Sequence, residues 1–230
     1  MPDKTYNQLL GVGNSAEDAE LELYLPCQET TGLVAADASS NGRDGTLVGY
    51  TTNPTVAAGP NGWLPSAFDL DGSTNFINIG PADFLDGLSA FSFFGSFYLN
   101  SLVDQHLFSD WSDHIYVKIY NSGTRLRVYY KTDAGLRAAN IVVSLSAGQW
   151  YGFGIFYDST AWQIELDGST VSDFPGTGDL LVGSGNNFTF GTYSDAPSGV
   201  LDGRLAGLGI LSRSLTTNER ANLYNGPLPT

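Results

Sequence analysis

From Leu21 onward, large apolar residues recur in short runs, either continuous or alternating with polar ones, and each run is bounded by glycine, asparagine or aspartate. A period of two over such short lengths predicts strands. They are expected at 21–25, 45–48, 67–70, 75–79, 91–99, 105–110, 114–120, 125–130, 139–145, 150–157, 161–166, 187–190 and 203–211. In Phe91-Ser92-Phe93-Phe94-Gly95-Ser96-Phe97-Tyr98 and in Gly152-Phe153-Gly154-Ile155-Phe156-Tyr157, small residues alternate with large ones. That is the pattern of strands in two sheets packed face to face. Thr216 and Glu219 stand at capping-box spacing ahead of Ala221, Leu223 and Tyr224, and Asn225-Gly226-Pro227 is a stop signal, so one short helix is expected at the end. Asp-Gly pairs such as Asp44-Gly45, Asp71-Gly72 and Asp167-Gly168 supply the turns, because glycine accepts positive φ without steric cost. The expected fold class is all-β, an antiparallel β-sandwich with a short C-terminal helix. The domain spans 21–226, between a polar arm at 1–20 and a tail at 227–230. The arm offers Tyr6, Leu9 and Leu10 as apolar anchors and a short helix capped by Ser15.

Length and composition fit this picture. A chain of 230 residues with 42% hydrophobic and 13% aromatic residues can fill one β core. The net charge of -14 repels phosphate backbones and anionic membranes, so no nucleic-acid partner is expected. No run approaches the ~20 apolar residues of a membrane span, so membrane insertion is not expected either, and the N-terminus shows no secretory pattern. The one cysteine, Cys27, excludes an internal disulfide and is expected as a small buried apolar residue.

Five local patterns, taken in order, resemble the laminin-G-like family of concanavalin A-like jelly rolls. They are the acidic loop Asp37-Ala-Ser-Ser-Asn41-Gly-Arg-Asp44-Gly-Thr-Leu47; the hairpin Ala67-Phe-Asp-Leu-Asp71-Gly-Ser-Thr-Asn75-Phe-Ile-Asn-Ile79; Leu88-Ser-Ala-Phe91-Ser92-Phe93; the meander from Leu145 through Gly148-Gln-Trp150-Tyr and Phe156-Tyr-Asp158 to Trp162 and Leu166-Asp-Gly168; and the closing segment Leu201 to Glu219. Together they cover residues 20–226. The resemblance implies a concanavalin A-like jelly roll and a binding or adhesion role, and it places Trp150 and Trp162 in the core.

Members of this family often hold calcium, and the matching donors here are Asp37, Ser39, Asn41 and Asp44, with Asp202 as a further acid near the closing strand. Hard cations take six to eight oxygens, which such a loop could offer. The same side chains are equally suited to Asx turns. Position twelve from Asp37 is Val48, which excludes an EF-hand, and Ala206-Gly207 stand where the family usually carries two acids.

Sugar recognition needs flat aromatic faces beside amides and carboxylates. Trp111, between Asp110 and Asp113, offers that combination, with Tyr130, Asn187, Tyr193 and Asp195 as companions. Trp111 could instead fold down onto the core, and Trp63 could cover an edge. His106 and His114 lack the further ligands of a catalytic zinc site and are expected as ordinary strand and turn residues.

The same jelly roll hosts glycoside hydrolases with paired carboxylates. Of the six glutamates only Glu20 and Glu22 are two apart, on a peripheral strand. No nucleophile elbow and no phosphate-cradling loop appears. The expected function is non-catalytic binding or adhesion. The leading expectation is a phage virion protein, a capsid decoration or host-adhesion subunit, whose arm docks on other virion proteins and whose loops meet glycans or host surface, with homo-oligomers allowed. The alternative is a cellular or secreted carbohydrate-binding or adhesion module.

Overall fold

The computed structural model describes residues 19–110, 114–183, 185–193 and 198–225. The arm to residue 18, with Ser15, and the end from 226 lie outside the described residues, as do Trp111, Asp113 and Asp195. The strands are β1 (Leu21–Leu25), β2 (Val34–Ala35), β3 (Gly45–Val48), β4 (Val56–Ala58), β5 (Ser66–Asp71), β6 (Phe76–Pro81), β7 (Phe91–Leu99), β8 (Gln105–Ser109), β9 (Ile115–Tyr120), β10 (Arg125–Thr132), β11 (Gly135–Val142), β12 (Trp150–Tyr157), β13 (Ala161–Leu166), β14 (Ser169–Pro175), β15 (Asn187–Phe190) and β16 (Asp202–Leu211). A 3-10 turn (Ala82–Leu85) follows β6, and one α-helix, α1 (Thr217–Asn225), follows β16. No helix among the described residues is long and apolar enough to cross a membrane.

The strands form two antiparallel sheets. The first runs β14-β13-β12-β7-β16-β5-β4, with β1 also paired to β16; the second runs β11-β10-β9-β8-β15-β6-β3-β2. In the first sheet β7 lies beside β12, with Phe91 opposite Tyr157 and Tyr98 opposite Trp150. Strand alternation then sends Phe91, Phe93, Phe97 and Leu99, with Tyr151, Phe153, Ile155 and Tyr157, into the space between the sheets. The second sheet answers with Phe108, Ile115, Val117, Ile119, Leu126, Val128, Phe188 and Phe190. Phe93 spans the layers, its ring centre 5.2 Å from Phe108 and 6.1 Å from Phe188. Trp162 is fully buried against Tyr157 and Tyr130. Each such side chain contributes about 1.5–3 kcal/mol through burial, and each well-oriented ring pair about 0.5–1.5 kcal/mol more.

β16 has two neighbours along one side. Asp202 to Leu205 pair with β5, and Leu208 to Leu211 pair with β1. Between these halves the register against β7 shifts, from Ala206 to Gly209. Gly207 takes φ +59° there, and a Cβ on it would stand 2.6 Å from Leu64 Cδ1. Glycine therefore allows both the bulge and the close seating of Leu64.

The expected capping box is present. Thr216 N–H donates to Glu219 Oε2 at 2.8 Å, and Glu219 N–H donates back to the Thr216 hydroxyl at 3.4 Å. Arg213 joins both ends of the sandwich: its guanidinium lies 2.6 Å from Glu219 Oε1 and 3.0 Å from Glu20 Oε2. Cys27 is buried, and burial pushes its thiol well above the ordinary range.

Three short strands, β2, β4 and β14, were not expected from the pattern, and β11 starts at Gly135 and ends at Val142 where 139–145 was anticipated. All four are sheet edges, where neither face must be apolar. Val142 is 72% exposed, and β14 ends on Pro175, which an edge accommodates.

The β5–β6 turn is built on Asp71. One carboxylate oxygen accepts the N–H groups of Ser73, Thr74 and Asn75 at 2.7–2.9 Å, and the other accepts the Ser73 and Thr74 hydroxyls at 2.8 Å. Burial opposes ionisation, but these donors hold the carboxyl far below its usual range. The carboxyls of Asp158 and Glu219 are also held low, the first mainly by the Thr160 hydroxyl and the Ala161 N–H; for Glu219, burial is outweighed by Arg213 and Thr216. Because the folded values lie below those of the unfolded chain, unfolding takes up protons, and the stability from these groups is lost as pH falls below about 5. Thermal melts across acid pH should show this loss. Asp71→Ala should lower stability by about 2 kcal/mol at neutral pH and flatten the acid slope; an unchanged slope would count against the turn.

Candidate functional site

The acidic loop after β2 folds as a set of turns. Asp37 Oδ1 accepts the N–H groups of Tyr24 and Ser39, both at 2.9 Å, while Oδ2 accepts the Ser39 hydroxyl at 2.7 Å and the Arg43 N–H at 2.8 Å. A carboxylate has about four acceptor positions, and all four are used. Asp44 Oδ1 accepts the Asp37 N–H, and the Asn41 side-chain amide donates to the carbonyls of Leu21 and Glu22. Arg43 brings a guanidinium to the same place, 3.3 Å from Glu22. Asp202 stands on β16 opposite Asp71 and accepts the Asn100 amide. No group of three or more acids, histidines or cysteines gathers in metal-binding geometry among the described residues. Of the donors expected for calcium, Asp37, Ser39, Asn41 and Asp44 are engaged in the loop's own turns, which accords with the Asx-turn reading, and Asp202 stands apart in sequence on β16.

The sugar-contact candidates also disperse. Asp110 is fully buried, where it accepts the N–H groups of His114 and Ile115 at 3.1 Å and lies 3.2 Å from His114 Nδ1, so it closes a turn and offers nothing outward. Tyr130 is a core residue, its ring stacked on Trp162 with centres 3.5 Å apart, and burial pushes its hydroxyl up to about 12. Strand parity corrects the second assignment by turning Tyr130 inward beside Val128, and the turn hydrogen bonds correct the first. Asn187 is half-buried at the start of β15, opposite Pro81. Tyr193 is half-buried with its ring centre 5.1 Å from His106.

A different constellation lies on the outer face of the first sheet. Parity turns Trp150 outward with Gly152 and Gly154, which corrects its expected place in the core. Ser96 and Tyr98 share that face from β7. α1 crosses above, and a Cβ on Gly152 would meet Tyr224 Cδ1 at 2.8 Å, so glycine lets the helix come down onto the sheet. Between α1, Trp150 and the 60–64 loop runs a groove of about 270 Å³, lined by Asn61, Ser96, Trp150, Gly152, Asp167 and Tyr224. It adjoins a small crevice reached by Trp63, which is 41% exposed.

The groove is held rigid from below. The Trp150 ring packs on Tyr98 with centres 5.6 Å apart. Arg204 covers Tyr98 at 4.5 Å and is itself placed by Asp69, 3.2 Å away. Asn61 Oδ1 accepts the N–H groups of Trp63 and Leu64, which orients the amide. Asp167 Oδ1 accepts the Gly152 N–H at 2.7 Å. The result is one braced aromatic face surrounded by an amide, a hydroxyl and a carboxylate.

Glutamate spacing does not reveal a second acidic pair, Glu165 and Asp167, which stand two residues apart beside α1. Glu165 is buried and lies 3.2 Å from Arg220, whose guanidinium also covers Phe156 at 4.3 Å. Glu20 and Glu22 are likewise engaged, by Arg213 and Arg43. The clue to the groove was available in the parity of Trp150-Tyr-Gly-Phe-Gly-Ile-Phe-Tyr157, where the smallest residues share a side with the tryptophan.

Because Asp37 accepts four hydrogen bonds that organise its turn, Asp37→Ala should cost about 2–3 kcal/mol. Chelator should leave the melting temperature of the native protein unchanged; a chelator-induced fall of several degrees, reversed by calcium, would contradict the turn assignment.

A search of curated protein sequences finds no match. Among solved structures the chain is similar to domain 4 of AbnA, an extracellular arabinanase from Geobacillus stearothermophilus solved in complex with arabinotriose, at 17% identity and TM-score 0.65, covering 90% of this chain and 98% of that one. It is similar to botulinum neurotoxin type C at 12% identity and TM-score 0.65, spanning 93% of this chain but 53% of that one. Trypanosoma rangeli sialidase in complex with sialic acid matches at 14% identity and TM-score 0.62, over 96% of this chain and 36% of that one. At such identities these likenesses show the shared sandwich. A laminin-G-like family model matches residues 71–219, more than half of the chain, and on that match the chain belongs to the concanavalin A-like lectin/glucanases superfamily.

Proposed function

We propose that this chain is a non-catalytic glycan-binding module and that the groove beside Trp150 is its binding site. The observation that supports this most is the braced Trp150 ring framed by Asn61, Ser96 and Asp167. The C–H face of a sugar stacks on an aromatic ring, while its hydroxyls need directional partners, and the groove supplies both. The Asn61 amide N–H groups and the Ser96 hydroxyl make no hydrogen bond to other described residues, so they remain available to a ligand. Asp167 is the one carboxylate lining the groove, whereas glycoside hydrolysis uses two across the scissile bond. The arabinanase domain solved with arabinotriose makes arabino-oligosaccharides the first ligands to try. The proposal concerns the sandwich wherever it is displayed, on a virion, as the sequence reading expects, or on a cell surface.

Titration with neutral arabino-, xylo- and gluco-oligosaccharides, followed by tryptophan fluorescence and calorimetry, tests the site. Binding should be present in the native protein, and Trp150→Ala should weaken it about tenfold or more, the equivalent of ~1.4 kcal/mol, without a change of fold. Ser96→Phe should fill the groove and abolish binding. Binding that survives both substitutions, or release of new reducing ends from the sugars, would refute the proposal.

A further inference from the structure

Five of the ten Lys and Arg residues, Lys118, Arg125, Arg127, Lys131 and Arg137, fall between His114 and Val142, where Asp133 is the one acid. In a chain of net charge -14 this is a local inversion of sign. Register gathers it onto one surface. Leu126, Val128 and Tyr130 face the core, so Arg125, Arg127, Tyr129 and Lys131 line the outer face of β10. On β9 the outward residues are Tyr120, Lys118 and Tyr116, directly opposite Arg125, Arg127 and Tyr129. Tyr116 and Tyr129 stack with ring centres 4.7 Å apart and planes within 9°. Beyond β10 the opposing residues on β11 are Val142, Asn140 and Ala138, which add no charge.

One acid reaches this face. Lys118 pairs with Asp104 at 3.2 Å, and Arg127 donates to Asn140 while lying 5.9 Å from the Tyr120 ring. Arg125, Arg127 and Lys131 make no ion pair with a carboxylate among the described residues. Arg125, Arg127 and Lys131 thus form a row of cations without a carboxylate partner among the described residues.

We propose that the outer face of β9 and β10 binds an acidic polysaccharide, carboxylated or sulfated, separately from the groove on the other sheet. Same-face residues on a strand are about 7 Å apart, so Arg125 and Arg127 stand one such step apart and Lys131 two steps further, with Tyr129 between. That arrangement suits charges separated by sugar rings, with the cations as anchors. A nucleic acid presents a charge every ~1.7 Å of duplex, far closer than the cations stand along β10, and the acidic remainder of the chain repels it.

The test uses the full chain at low ionic strength with polygalacturonate and dextran sulfate as probes, neutral dextran as control and oligothymidylate as the nucleic-acid comparator. Polygalacturonate or dextran sulfate should bind, neutral dextran should not, and affinity should fall steeply with salt. The double variant Arg125→Glu/Arg127→Glu should weaken binding roughly tenfold or more at an unchanged melting temperature, with Lys131→Gln giving a smaller loss in the same direction. Trp150→Ala should leave this binding intact, and the double variant should leave any neutral-oligosaccharide binding intact, so that failure of either site is read separately. The proposal is overturned by native protein that binds neither anionic probe, by unchanged affinity in the double variant, by tighter binding of oligothymidylate, or by self-association that the double variant abolishes.

Discussion

The pairing of β7 with β12 on one side and β16 on the other is the constraint from which the rest follows. Once Phe91 faces Tyr157 and Tyr98 faces Trp150, alternation decides for every residue of three central strands whether it fills the core or meets what lies outside. A slip of one position would put Ser92, Ser96, Gly152 and Gly154 into the core and expose four phenylalanines. The register is therefore held by the difference in burial between two faces of the same strands, a difference of many kcal/mol. The outer face inherits small residues from this arrangement, and those small residues leave the room in which α1 and the groove are set.

The two sheets use their outer faces differently. The first is partly roofed by a helix and offers a recess with one aromatic wall. The second carries tyrosines among cations on the outer side of β9 and β10. Net charge alone concealed this, because a sum over the chain says nothing about where the charges sit; strand register is what converts Arg125, Arg127 and Lys131 from scattered residues into a row. Both faces are rigid, since each outward side chain stands on a strand whose inward neighbours are locked in the core.

Much of the fold was legible in the residues. The core strands show strong contrast between large and small positions, and the C-terminal helix announces itself through Thr216 and Glu219. Edge strands such as β14 were not legible, because a strand with neither face buried leaves no periodic mark. The site was harder. The family resemblance puts Trp150 in the core and Tyr130 reads as a companion of Trp111, whereas their parity relative to Tyr151 and Val128 settles them the other way. Asp37 and its neighbours read as oxygen donors for a cation or as turn formers, and in the fold Asp37 accepts N–H and hydroxyl groups of its own loop: a short polar loop offers the same atoms to a metal and to its own backbone, and composition cannot say which will take them. The groove joins residues 61, 96, 150, 167 and 224, which come together only through long-range pairing.

Arg213 grips Glu20 at one end of the described sandwich and Glu219 at the other. Entry to and exit from the domain are thus within the reach of a single side chain. A body with adjoining ends can be set into a surface loop of a larger protein, or strung beside copies of itself, without either host or guest being stretched. The clasp suits the sandwich to such joining as one unit.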